Sequence, residues 1–164
     1  PVHEIRTFKC GSNFRINNLV VHPFAISHDA TNPVGFTFGQ NGKRIGLATD
    51  LGTITPLVKS NLQHCHLLII EANHDPDMLV NGPYPWPLKQ RIQSRNGHLS
   101  NKQSKNLLME LQHRGLEHVI LAHLSETNNT PQKVLDEVSK ALTLCSPRLT
   151  VASQNRCGEI LYLK

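Results

Sequence analysis

His66-Leu67-Leu68-Ile69-Ile70-Glu71-Ala72-Asn73-His74-Asp75 is the stretch that decides how this chain is built. Residues 66–70 form an apolar run of strand length without polar alternation, the mark of a strand buried on both faces. The run stops at an acid, an amide, an imidazole and a second acid, so a buried strand ends in ionisable groups. The same construction recurs along the chain. Val20 to Ser27 runs into His28-Asp29, Arg44 to Thr49 into Asp50, and His118 to Ala122 into His123-Leu124-Ser125-Glu126. Loops at the carboxyl ends of strands in an open α/β sheet converge on one edge, where ligands bind. The pattern therefore predicts that His28, Asp50, Glu71 and His123 meet.

Outward from that stretch, strands alternate with helices. Val34 to Phe38 and Arg44 to Thr49 flank Gln40-Asn41-Gly42, a strong hairpin signal, so part of the sheet is antiparallel and the whole is mixed. Thr53 to Leu62 reads as a short helix and Asp75 to Val80 as a helical turn. Asn81 to Pro87 reads as a rigid loop leading into a basic helix over Leu88 to Arg95. Ser100 is expected to cap a helix that runs to His113 and closes at Gly115, and Thr130-Pro131 to open another that ends near Leu144. Leu149 to Ser153 and Glu159 to Leu163 are expected as a final pair of strands around Gly158. The fold class is α/β, with helices covering a mixed sheet.

The 164 residues suit one domain, and 38% apolar with 18% charged is an ordinary globular balance. No run of 18 apolar residues occurs, so no membrane helix is expected, and Pro1 to Cys10 lacks the apolar core of a signal peptide. The four cysteines, at 10, 65, 145 and 157, fit no zinc-finger spacing; free thiols in a reducing, cytoplasmic setting are expected. A net charge of +5 suits an anionic partner without specifying one. Ten histidines is the unusual number. Those at strand ends, with the acids beside them, suit a zinc- or manganese-type ion. Such ions activate a hydroxide for attack on an ester, and a histidine held by a carboxylate can protonate the leaving group.

Several segments together resemble the YycJ/WalJ-type branch of the metallo-β-lactamase superfamily. They are His28-Asp29-Ala30 with Pro33-Val34-Gly35-Phe36, then Thr49-Asp50-Leu51-Gly52, Glu71 to Asp75, Gly82-Pro83-Tyr84-Pro85 with Leu88-Lys89 and Arg91-Ile92, Gly97-His98-Leu99-Ser100-Asn101, and Leu121 to Ser125. The resemblance implies an αββα sandwich of two mixed sheets with outer helices and two metal ions at one edge. It implies that His28 and His123 are histidine ligands and that Asp50 bridges the metals. Glu71 and His98 resemble the pair that assists proton transfer in the related tRNA-processing nucleases. The branch points to nuclease chemistry on DNA, by a metal-activated hydroxide. The superfamily's His-x-His-x-Asp-His motif is absent: His64-Cys65-His66 has its first spacing but continues Leu67-Leu68. The chain is thus expected to be the C-terminal half of the domain, beginning mid-fold at Pro1, with an N-terminal half-domain or a second copy covering the exposed sheet.

Around this core, Asp29 is expected to orient a ligand histidine, and His74 and Asp75 to shape their loop, Asp75 capping a helical turn. His98 reads equally as a ligand or proton donor and as a loop histidine before a helix. Lys89, Arg91 and Arg95 either meet substrate phosphates or form a solvated helix face. Tyr84 and Trp86 either stack on a base or pack on the core. His22, His64, His66, His113 and His118 are expected to be structural. Two further functions stay open: a small-molecule thioester or lactam hydrolase, and a non-catalytic module that completes another chain's site or binds nucleic acid.

Overall fold

The computed structural model describes residues 5–164; residues 1–4, including the Pro1 start, lie outside them. The elements run β1 (Phe14–Ile16), β2 (Leu19–Ala25), β3 (Val34–Gln40), β4 (Lys43–Ala48), α1 (Pro56–Leu62), β5 (Leu67–Glu71), α2 (Pro76–Asn81), α3 (Trp86–Gln93), α4 (Asn101–Leu111), β6 (His118–Ala122), α5 (Pro131–Val138) with a 3-10 turn (Ser139–Ala141), and β7 (Arg148–Val151). The strands form one seven-stranded sheet in sequence order. β1 to β4 pair antiparallel, and β4 to β7 pair parallel. Asn41 and Gly42, at φ 51° and 75°, make the primed turn that Asn-Gly favours between β3 and β4.

Register places the chemistry. Ala48 pairs with Ile70 and Ile70 with Leu121, while Glu71 pairs with Ala122. Asp50, Glu71 and His123 therefore leave three adjacent strands at nearly the same height. Ala48, Ile70 and Leu121 point to one face, where they are fully buried with Val58 and Leu62 of α1, Leu107 and Leu108 of α4, and Val134 and Val138 of α5. Four helices begin with a side-chain cap: Thr55, Asp75, Ser100 and Thr130 accept from the backbone N–H three residues on. At Ser100 the cap is reciprocal with Gln103, a capping box.

The opposite sheet face carries Phe36, Phe38, Ile45, Leu47, Ile69 and Ile120, all half-buried. The described residues thus supply one sheet with its main helical layer on one face, rather than the two sheets of a full sandwich. None of their helices is long and apolar enough to cross a membrane.

Four boundaries differ from expectation. α3 begins at Trp86, because Pro85 and Pro87 fit a first helical turn, so the loop before it is short. α4 ends at Leu111; Gly115 instead donates its N–H to His113 Nδ1 within a turn. α5 gives way to the 3-10 turn after Val138. Residues 159–163 form no strand: Glu159 binds the Arg148 guanidinium at 2.6 Å, and the Lys164 amide donates to Glu117 at 2.7 Å, so side chains rather than a ladder hold this tail. β1, at three residues, is too short to show a periodicity.

Candidate metal centre

Glu71 organises the site. Its carboxylate is fully buried, a position that is costly unless its oxygens are hydrogen-bonded. Oε2 accepts the backbone N–H of Leu51 at 2.7 Å and of Leu99 at 3.2 Å. Oε1 accepts Nδ1–H from both His98 (2.7 Å) and His123 (2.6 Å). Burial raises the Glu71 carboxyl, but the His123 and His98 hydrogen bonds and the Leu51 amide outweigh it and hold the group below its ordinary range. The same hydrogen bond to Glu71 raises His123 against its own burial. The hydroxyl of Ser104 on α4 donates to the Glu71 carbonyl at 2.6 Å, fixing the end of β5 to the helix behind it.

With Nδ1 committed to a carboxylate, His98 and His123 each keep a free Nε2 lone pair. His28 reaches the same state differently, since its Nδ1 donates to the Gly97 carbonyl at 3.1 Å. The His98 ring lies 5.0 Å from His28 and 5.1 Å from His123 between centroids. Asp50 Oδ1 stands 3.6 Å from His28 Nε2 and 3.6 Å from His123 Nε2. Donors that share a tetrahedral zinc at its usual bond lengths lie about 3.3 Å apart, so these spacings are of the right size for a divalent ion. Asp50, Glu71, His98 and His123 each bring a donor atom within 4.8 Å of one another, with His28 beside the group. Glu71 spends its oxygens on hydrogen bonds, which leaves Asp50 Oδ1 and the Nε2 atoms of His28, His98 and His123 as the donors free to meet an ion. Asp50 and His123 both adopt φ 59°, a left-handed conformation uncommon outside glycine, His123 directly after β6 and Asp50 two residues after β4.

The remaining expected residues divide clearly. Asp29 Oδ1 is 3.4 Å from His28 Nε2, but the orienting bond to His28 Nδ1 comes from Gly97, and Asp29 Oδ2 accepts from Arg91 Nε at 2.5 Å. That hydrogen bond to Arg91 holds the Asp29 carboxyl below its ordinary range. Lys89 is turned away: it is buried, and its ammonium donates to the Val80 carbonyl at 2.7 Å, tying α3 to α2. Asp75 caps α2 through the Met78 amide at 2.9 Å. His74 is 2% exposed, and its carbonyl receives the Asn101 amide at the start of α4. His66, His113 and His118 bond near the amino ends of β5 and β6, and His22 bonds Asn13; His64 edges onto His113.

A cleft of about 430 Å³ opens beside His98 and His123, lined also by Tyr84, Leu88, Arg91 and Ile92 and, across β6, by Ser125 and Gln154. Sequence reading missed the buried lock behind the site. Asn101 and Asn129 exchange amide hydrogen bonds at 3.0 and 2.9 Å, and Asn129 also donates to the Ala72 and Asn73 carbonyls. Two asparagines 28 residues apart carry no local signal, beyond Asn101 following a helix cap.

Residues 1–124 match the model of the β-lactamase superfamily domain. The chain is 32% identical over 142 residues to exodeoxyribonuclease YycJ of Bacillus anthracis, covering 87% of this chain and 54% of that protein. It is 34% identical over 122 residues to exodeoxyribonuclease WalJ of Streptococcus pneumoniae, covering 74% and 45%. The chain thus spans about half the length of the curated relatives it matches. Among solved structures, the metallo-β-lactamase fold protein YhfI from Bacillus subtilis superposes with a TM-score of 0.65 at 14% identity, over 88% of this chain and 51% of that one. Zn(2+)-bound PqqB from Methylobacterium extorquens gives 0.62 at 18%, over 90% and 49%. These two likenesses concern the fold.

Proposed function

This chain belongs to the metallo-β-lactamase superfamily, in its YycJ/WalJ-like branch, and on that premise we propose that it carries half of a metal-dependent phosphodiesterase acting on DNA ends. The observation that carries the reading is the position of Asp50 Oδ1, 3.6 Å from both His28 Nε2 and His123 Nε2, with both rings held in the ligating tautomer. His28, Asp50 and His123 would hold the divalent ion, zinc or manganese. Bound there, the ion supplies Lewis-acid stabilisation of the charge that develops on phosphoryl oxygens.

The chain's own residues do the rest. His98 lines the cleft with Nδ1–H anchored on Glu71, so its free Nε2 first takes up a proton and then, as the imidazolium, hands it to the leaving oxygen. Glu71, buried beneath both imidazoles, touches no substrate; it is a positioning residue that fixes two tautomers at once. The remaining ligands and the second sheet come from a half-domain bearing His-x-His-x-Asp-His, a reading supported by the half-buried apolar sheet face and the half-length match to the relatives.

End-labelled oligodeoxynucleotide with manganese or zinc tests this. Degradation should stop with chelator and with Asp50→Ala; degradation unchanged by both would defeat the reading. A second reading, a non-catalytic module that completes another chain's site, draws on the same open sheet face. Failure to degrade DNA even with the complementary half-domain present would favour it.

A further inference from the structure

We propose that α3 and the loop before it form a nucleotide subsite, in which Arg91, oriented by Asp29, grips a phosphate while Tyr84, Leu88 and Ile92 seat the attached base. The inference rests on the phosphodiesterase reading for its substrate class; the subsite adjoins the metal centre, with Asp29 3.4 Å from His28 Nε2 and His123 on the cleft wall, but Arg91, Tyr84, Leu88 and Ile92 are themselves no metal ligands.

Leu88, Arg91 and Ile92 are spaced i, i+3, i+4, so they share one face of α3, and that face lines the cleft together with Tyr84. Tyr84, Leu88 and Ile92 are half-buried, so they offer apolar surface without being lost to the core. Trp86, by contrast, is 60% exposed and lines no part of the cleft. Arg91 is largely exposed, and a free arginine would sample many rotamers. Here Asp29 takes its Nε at 2.5 Å, which fixes the guanidinium plane and leaves the terminal nitrogens for a ligand. A fixed fork is the geometry that phosphate oxygens match in pairs.

A carboxylate that only neutralised Arg91 would weaken anion binding at long range. At contact distance the pre-set fork matters more, because less side-chain freedom is lost on binding. Glu126 also borders the cleft and is exposed, so it confines anion binding to the Arg91 wall. The volume, about 430 Å³, is in the range of small-ligand clefts. That size suits one nucleotide unit, placed beside His98 and His123.

Isothermal titration of thymidine 5′-monophosphate, thymidine and inorganic phosphate into the protein, in chelator, tests the subsite without turnover. The nucleotide should bind at least tenfold more tightly than either fragment. Arg91→Ala should weaken the nucleotide tenfold or more and leave manganese affinity, read by electron paramagnetic resonance, within about twofold. Ile92→Ala should weaken the nucleotide but not phosphate. No nucleotide binding, equal binding by Arg91→Ala, or a loss of manganese instead of nucleotide would each overturn the proposal. An inactive protein that binds nucleotide through Arg91 would uphold the subsite and defeat the hydrolase; an active one whose Arg91→Ala variant binds normally would do the reverse.

Discussion

Glu71 concentrates four hydrogen bonds on one buried carboxylate, two to backbone amides and two to imidazoles. Glu71→Gln would present an NH2 where only acceptors fit, forcing it against either the two amides or the two Nδ1–H groups. The expected cost is about 1–3 kcal/mol in denaturant unfolding and a 10- to 100-fold loss of metal affinity. His74 gives a pH signature. Burial pushes it from 6.5 down to about 4, against the opposing pull of Glu71 and Asp75 and with the support of His98. A histidine kept neutral in the fold but protonated when unfolded makes stability rise with pH between those two values. His74 by itself should thus contribute a loss of about 3 kcal/mol to the metal-free protein as pH falls from 6.5 to 4, opposed by His123, whose raised pKa works the other way; His74→Gln should flatten the slope in urea titrations. At this scale the sequence was most informative where a residue follows a strand: His28, Asp50, Glu71 and His123 were legible from that position. The Arg91 partner of Asp29 and the Gly97 carbonyl on His28 Nδ1 were not, because such partners come from tertiary placement across more than sixty residues.

Between elements, the segment from α3 to α4 is held by close backbone approach. A Cβ at Gly97 would lie 2.2 Å from the Ile92 carbonyl oxygen, and one at Gly52 would lie 2.3 Å from the Arg95 oxygen. Gly97→Ala should move the carbonyl that holds His28 and the His98 that follows it. We expect about 1–3 kcal/mol of destabilisation and weakened metal binding, checked by thermal melts with and without manganese. Asn129→Ala leaves the Ala72 carbonyl and the Asn101 amide short of partners, and should cost about 2–4 kcal/mol in urea unfolding. Caps and the Asn41-Gly42 turn were readable because their chemistry is local. The end of α4 was not: His113 and Gly115 look like a helix terminus, but their turn forms after the helix has already closed at Gln112.

The whole molecule presents a sheet with one face packed under helices and the other only half-covered. Phe36 and Phe38 stack at 6.0 Å there, and Phe8 meets Phe36 edge-on at 5.7 Å. The Asn41-Gly42 turn signal made β3 and β4 readable as strands without telling which face was covered, since that depends on a partner the local pattern does not encode. If this face is an interface, Ile69→Lys should suppress concentration-dependent association in sedimentation velocity while leaving metal affinity unchanged. The claim on which all else depends is that the ends of β4 and β6 and the turn after β2 grip one cation. Manganese titration followed by electron paramagnetic resonance tests it most directly. His28→Ala, Asp50→Ala and His123→Ala should each lose at least tenfold in affinity while His22→Ala binds as the unaltered protein does; binding undiminished by Asp50→Ala would contradict the account.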